Sequence, residues 1–237
     1  MAQNNPFALS FDGVDDYAVY STPGSFLVQP GVTNQMTIEF WANIKGEGYI
    51  IDTGAGYNHQ GLSIVYVSGI KRIHLRTLTT HWQIDGVYMP IGELHHYAFV
   101  WDNSDLIWIV DGVVQNQTGP VSTGQYNRNY VSSTYIGRNY LTATLLSTFD
   151  LDELRIWDHA RTQTQIQENM TKSLTGTETG LYIYSRFDTG SGNTAIDSSP
   201  NANHGTIYGA TWIPGLVDLD GGDEPVVKTA YLRCTGA

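Results

Sequence analysis

Apolar and polar residues alternate with a period of two along most of the chain. Phe7, Leu9 and Phe11 share one face of such a run, as do Ile38, Phe40, Ala42 and Ile44. The pattern returns at Leu62, Ile64 and Tyr66, at Ile73, Leu75 and Thr77, and at Tyr97, Phe99 and Trp101. Ile107 and Ile109, Leu154 and Ile156, and Ile183, Ser185 and Phe187 complete the series. Successive side chains of a strand point to opposite faces, so each run predicts a strand with one face buried against a second sheet. Gly, Asn, Asp and Pro interrupt the runs at short intervals. The predicted class is therefore all-β, an antiparallel two-sheet sandwich of the jelly-roll kind. Asp111-Gly112, between Leu106–Val110 and Val113–Gln117, predicts a tight hairpin, because both residues tolerate the positive φ of a type I′ turn. One short helix is predicted near Thr162–Met170. Thr162 and Gln165 form a capping box, and Ile166 and Met170 make an i, i+4 apolar pair. It is expected to clip over one end of the sandwich.

The chain has 237 residues, of which 41% are hydrophobic and 12% aromatic, enough to build a core and to exclude wholesale disorder. Twelve Lys and Arg against 23 Asp and Glu leave a net charge of −11, a poor match for nucleic acid. No stretch approaches the roughly 18 consecutive apolar residues of a membrane span. A single cysteine, Cys234, excludes an internal disulfide and a Cys-based zinc site. Met1–Phe7 has neither a basic nor an apolar leader region, so no signal peptide is expected in this chain, and the expected location is extracellular or on a virion surface. After Leu216 the composition turns acidic, through Asp218, Asp220, Asp223 and Glu224 to Pro225. Residues 1–215 are expected to form one domain, and 216–237 an acidic linker and tail, with Val226–Leu232 able to add an edge strand or an assembly contact.

Three blocks together resemble the laminin-G-like, concanavalin A-like jelly-roll superfamily, in its pentraxin-related bacterial and viral branch. The first is Ala8-Leu-Ser-Phe-Asp-Gly-Val-Asp-Asp-Tyr17 with Met36-Thr-Ile-Glu-Phe-Trp41. The second runs from His95-His-Tyr-Ala98 through Ile109-Val-Asp-Gly112 and Tyr135-Ile-Gly-Arg138 to Asp152-Glu-Leu-Arg-Ile-Trp157. The third comprises Gly180-Leu-Tyr-Ile-Tyr-Ser-Arg-Phe-Asp188, the Asp197–Thr206 loop and Ala210-Thr-Trp-Ile-Pro-Gly215. In many relatives the third block comes first. Here it comes last, so 180–215 is expected to close the same sandwich beside the strand at 7–11, as if permuted; the alternative is the start of a second repeat.

The resemblance also implies a structural calcium near such loops. Calcium takes 6–8 oxygen ligands, and three clusters offer them: Asp12/Asp15/Asp16, Asp150/Asp152/Glu153 and Asp197/Asn201/Asn203. The expected ligands are Asp197, Asn201 and Asn203, with Asp12, Asp152 and Glu153 as further candidates. The same residues also serve turns without any metal. His95-His96 lie on opposite faces of a strand and cannot chelate one ion in the usual way.

Catalytic machinery is sparse. A glycoside hydrolase of this fold needs two facing carboxylates, and neither Thr37-Ile-Glu39-Phe-Trp41 nor Asp150-Leu-Asp152-Glu153 supplies the alternating set that the fold's glucanases carry. For a polysaccharide lyase the best residues are Arg72, His74 and Arg76, which alternate onto one face, with Tyr66 nearby. No Gly-x-Ser-x-Gly motif and no phosphate loop is present. A sugar site instead wants aromatic faces beside amide and carboxylate groups. Tyr57 and His59, His81-Trp82-Gln83 and Asn139-Tyr140 have that composition, and Arg72, His74 and Arg76 would suit an anionic glycan. The expected function is a non-catalytic carbohydrate-binding or adhesion module, stabilised by calcium, with glycans or cell-surface polysaccharide as partners. The alternative is a structural protein of a virion or surface assembly, a homo-oligomer contacting other proteins.

Overall fold

The period-two runs form strands that pair antiparallel into two eight-stranded sheets. The computed structural model describes residues 6–21, 35–53, 61–76, 81–102, 104–119, 133–141, 144–219 and 226–227. Sheet I holds β1 (Phe7–Asp12), β3 (Gln35–Ile44), β8 (Leu94–Asp102), β9 (Leu106–Val110), β10 (Val113–Thr118), β12 (Thr148–Trp157), β13 (Leu181–Ser185) and β16 (Thr211–Pro214). Sheet II holds β2 (Tyr17–Ser21), β4 (Gly48–Asp52), β5 (Gly61–Val67), β6 (Ile70–Arg76), β7 (His81–Asp85), β11 (Ser133–Ile136), β14 (Thr194–Ala195) and β15 (Gly205–Tyr208). Sheet I runs β10-β9-β8-β3-β12-β1-β16, with β13 also on β12; sheet II runs β14-β15-β2-β11-β4-β5-β6-β7. Such a two-sheet antiparallel sandwich is the architecture the alternation predicts.

The core lies between the two inner faces. Leu9, Phe11, Ile38, Phe40, Ala42 and Ile44 of sheet I meet Tyr20, Ile51, Leu62, Ile64, Ile73 and Leu75 of sheet II, all buried. Phe11 and Phe149 stack with centroids 4.6 Å apart, and each large apolar side chain so buried stabilises the fold by roughly 1.5–3 kcal/mol. Tyr20 is bonded across the sandwich, its hydroxyl donating to Ser185 Oγ at 2.9 Å. Residues 211–214 pair with 7–10 in register Phe7↔Pro214 to Ser10↔Thr211, beside the strand with which the chain opens. Beyond them, Val217 and Leu219 pack on Trp41 and Leu94, and β17 (Val217–Asp218) pairs with β18 (Val226–Val227).

Asp111 and Gly112 have φ of 49° and 72°, as the type I′ turn requires. In one strand the inward set differs from the expectation. Leu106, Trp108 and Val110 face the core, whereas Ile109 faces outward with Ile107 beside it. Both faces of β9 are apolar because the helix covers its back. That helix, α1 (Gln163–Asn169), has the capping box at Thr162 and Gln165. It does not clip an end of the sandwich: Ile166 packs against Ala98, Val100 and Ile109 on the outer face of sheet I.

Candidate functional site

The two outer faces are unlike. That of sheet I is closed over by α1, the 158–180 segment and the Leu216–Leu219 stretch, and several of its polar residues are engaged beneath them. Glu39 is fully buried and accepts from Arg161 Nη1 at 2.5 Å. Arg155, also buried, donates to Glu153 Oε2 and to the carbonyls of Asn169 and Lys172. Glu153 sits at the bulge between Asp152 and Arg155 with φ 51° and takes a further bond from the Tyr184 hydroxyl at 2.8 Å. Asp152 accepts the Leu216 N–H at 2.9 Å and the Glu153 N–H at 3.0 Å. These acids fasten the covering chain to the sheet.

The outer face of sheet II carries the basic strip. Alternation turns Ile73 and Leu75 into the core and Arg72, His74 and Arg76 outward. Register then sets His74 against Ser63 on one side and Gln83 on the other, Arg72 against Asp85, and Arg76 against His81. Arg72 Nε is bonded to Asp85 Oδ1, and Gln83 Nε2 donates to Asp85 Oδ2 at 2.7 Å. The Arg72 bond holds the Asp85 carboxyl below its usual range. His74 Nδ1 and His81 Nε2 are 2.9 Å apart, one ring N–H donating to the other ring's nitrogen. Burial, then His81 and the two arginines, press the His74 pKa down to about 4; burial, then Arg76 and Arg72, lower that of His81. Both shifts favour the neutral imidazole. Next to them is a recess of about 60 Å³ lined by Tyr49, Asp52, Ser63, His74, Arg76, Asn139 and Tyr140. Its carboxylate, Asp52, accepts the Ser63 hydroxyl at 3.2 Å and the Tyr140 N–H at 3.1 Å.

Of the expected ligand-contacting residues, the fold thus gathers Arg72, His74, Arg76 and Tyr140. Trp82 does not join them. It pairs with Leu75, so the strand alternation turns it onto the core side, where it packs half-buried, and His81 and Gln83 occupy the outer face instead. Tyr66 likewise lies on the other face, opposite Lys71, whose ammonium is 5.4 Å from its ring centroid. Tyr57 and His59 lie outside the described residues.

The loop expected to hold calcium is anchored by Asp197, which is 3% exposed. Its Oδ1 accepts the N–H groups of Tyr184 and Ser199, and its Oδ2 accepts the Ser199 hydroxyl and the Asn203 N–H, all at 2.8 Å. All four acceptor sites of the carboxylate are thereby used within the chain. Asn201 Nδ2 donates to the Tyr182 carbonyl at 3.1 Å. Asp12, Asp15 and Asp16, in contrast, bring one carboxylate oxygen each to within 4.8 Å of one another. Burial, followed by the neighbouring charges of Asp12 and Asp15, raises the Asp16 pKa against the lowering bond from the Asp12 N–H.

Asp52, Ser63, Tyr49 and Asp85 went unrecognised as site residues in the sequence. Asp52 and Ser63 carry no motif, and only cross-strand register brings them beside His74. The register itself was partly readable: Ser68-Gly69, with φ of 53° and 76°, makes the β5–β6 hairpin turn that sets it.

Residues 12–167 match the profile of the concanavalin A-like lectin/glucanases superfamily. No curated protein sequence matches the chain. Among solved structures it is similar to a candidate carbohydrate-binding protein of Bacteroides ovatus, with 20% identity and a TM-score of 0.66 over 95% of this chain and 62% of that one. It is also similar to botulinum neurotoxin type C, whose cell entry depends on two ganglioside molecules (15%, 0.53, over 75% and 46%). A third is the heptameric SAP-like pentraxin of Limulus polyphemus (15%, 0.50, over 70% and 82%). The chain therefore spans less than two thirds of the Bacteroides protein and of the toxin chain, and at these identities the likeness is one of fold.

Proposed function

We propose that this chain, which belongs to the concanavalin A-like lectin/glucanases superfamily, is a non-catalytic carbohydrate-binding module whose site is the outer face of sheet II. One observation carries this: His74, Arg76 and Tyr140 meet Asp52, Ser63 and Asn139 around one recess on the outer face of sheet II, with Arg72 next along the same strand face. Guanidinium, hydroxyl, amide and aromatic groups around a recess are what sugar hydroxyls and a sugar carboxylate require. Neighbours of this fold that are described as binding carbohydrate or ganglioside support the same use of it. The acids that sequence offered for hydrolysis, Glu39, Asp152 and Glu153, are buried and bonded on the other sheet, which supports binding without turnover.

The test is a glycan screen with purified protein. Binding to uronate- or sialate-bearing glycans is expected, and Arg72→Ala/Arg76→Ala should remove it without changing the unfolding midpoint. Unchanged binding by the double variant would move the site elsewhere. An oligomer with no glycan affinity would favour a protein-docking role in a virion or surface assembly. A second reading, β-elimination of a uronate polymer, is favoured by the approach of His74, Arg76, Tyr49 and Tyr140 to the same recess; release of unsaturated oligosaccharides would establish it.

Calcium belongs to the proposal through Asp12, Asp15 and Asp16. Their crowded carboxylates, with the raised Asp16 pKa, fit a hard divalent cation that would relieve the repulsion. Calcium should raise the melting temperature of the wild type and leave that of Asp16→Asn unchanged. A wild type indifferent to calcium and chelator would remove the metal from the proposal.

A further inference from the structure

Among the described residues, the outer face of sheet II continues well past the basic strip. The cross-strand row that holds His74, Ser63 and Asp52 runs on through Tyr135 and Val19 to Thr206. Beside its far end Tyr17 and Tyr208 stack, with centroids 4.5 Å apart and planes 14° apart. Arg138 lays its guanidinium over Tyr17 at 4.5 Å and over Tyr135 at 5.2 Å. None of these groups belongs to the core. The alternation that buries Ala18 and Tyr20 turns Tyr17 outward, and Tyr208 is 44% exposed.

We propose that this face is a multi-subsite platform for one extended anionic polysaccharide: an acidic sugar sits at Arg72, Arg76 and the His74–His81 pair, and another sugar of the same chain lies against Tyr17, Tyr208 and Arg138. The inference rests on the carbohydrate-binding assignment above and adds to it the second subsite, the chain length and the charge. Span argues for a polymer. Four strand spacings separate β2 from β6 in the order β2-β11-β4-β5-β6, about 19 Å at the usual interstrand distance, which a run of several pyranoses bridges and a disaccharide does not. Charge argues for an anion. In a chain with 12 basic residues against 23 acidic ones, Arg72, Arg76 and Arg138 are gathered here. The face's own carboxylates are engaged: Asp52 by Ser63 and Tyr140, Asp85 by Arg72 and Gln83. The Asp12–Asp16 loop borders the aromatic end, with Asp16 Oδ1 against Gly209. At the aromatic end the exposed Tyr208 offers a sugar's C–H groups an apolar surface, held in place by Tyr17, whose own ring is in contact with Tyr208 and Arg138, and Arg138 offers donors to the sugar hydroxyls.

Calorimetric titration of the full chain with alginate, pectate, hyaluronan and heparin oligosaccharides, from disaccharide to decasaccharide, tests this, with neutral cello- and chito-oligosaccharides for comparison. Affinity should rise with length until the two ends are bridged, and should fall with added salt. Tyr208→Ala should weaken the long chain about tenfold, equivalent to about 1.4 kcal/mol, and leave the disaccharide unaffected; Tyr208→Phe should keep wild-type affinity. Arg72→Ala/Arg76→Ala should weaken both lengths. Arg138→Gln is the second variant at the aromatic end and should repeat the Tyr208→Ala result. Affinity that saturates at the disaccharide, a preference for neutral chains, or long-chain affinity untouched by both Tyr208→Ala and Arg138→Gln would overturn the platform while leaving carbohydrate binding in place. Failure of the wild type to bind any glycan would defeat the assignment on which it rests.

Discussion

Replacing Arg161 by Ala tests whether the acids of sheet I hold the structure together or are held in reserve for chemistry. Arg161 Nη1 lies 2.5 Å from Glu39 Oε1, and the two side chains are 5% and 0% exposed. The neighbouring His96, 3.6 Å from the other Glu39 oxygen, is a poor replacement counter-ion, because its burial and the Arg155 charge, both of which the substitution leaves in place, hold its pKa below the ordinary value. Arg161→Ala therefore strands a buried carboxylate, which costs about 3–5 kcal/mol. With a urea m-value of about 3 kcal/mol/M, the unfolding midpoint should drop by about 1–1.7 M. The double variant Arg161→Met/Glu39→Gln removes both charges and should recover most of that loss. A single variant whose midpoint moves by less than about 0.3 M, or a double variant no better than the single one, would refute the structural role of Glu39.

Acid should act on the histidines in opposite directions. In the unfolded chain His74 and His81 take up protons as pH falls through 6.5, while in the folded chain they resist, His74 until about 4; the stability they contribute is complete above 6.5 and is lost between there and about 4. His95 runs the other way, because Asp111 raises its pKa, so its contribution is present below 6.5 and fades as pH rises through the higher folded value. Urea midpoints from pH 8 to 4 for the wild type and His74→Gln check this: the variant should lose less stability on acidification, and parallel curves would refute it. A bound sugar carboxylate would supply the counter-charge for the protonated pair, so affinity for anionic glycan should increase as pH falls from 6 towards 4, where His74 takes up its proton, and flat affinity over that range would count against His74 in contact. Gly205→Ala places a Cβ 2.8 Å from the buried Tyr20 ring and should cost about 1–3 kcal/mol in urea unfolding. Tyr20→Phe leaves Ser185 without its cross-sandwich partner and should cost about 1–3 kcal/mol; a neutral result would mean that bond contributes nothing.

Local pattern by itself determined the long strands and, except in β9, their inward faces, together with the sandwich class, the Asp111-Gly112 turn and the capped helix, because each depends on residues close together in the chain. It also set Arg72, His74 and Arg76 on one face. What surrounds them was decided only by tertiary structure. Asp52 and Ser63 reach His74 through strand register, and Trp82 lost its place by a one-residue shift of face that local composition does not reveal. The helix pattern was legible, but its seat on the back of sheet I depended on which outer face was apolar enough to receive Ile166. The same closure removed Glu39, Asp152 and Glu153 from solvent. The acidic loops show the limit most plainly: Asp197 and Asp12 are alike in sequence, yet four converging donors occupy the first, and two neighbouring carboxylates crowd the second.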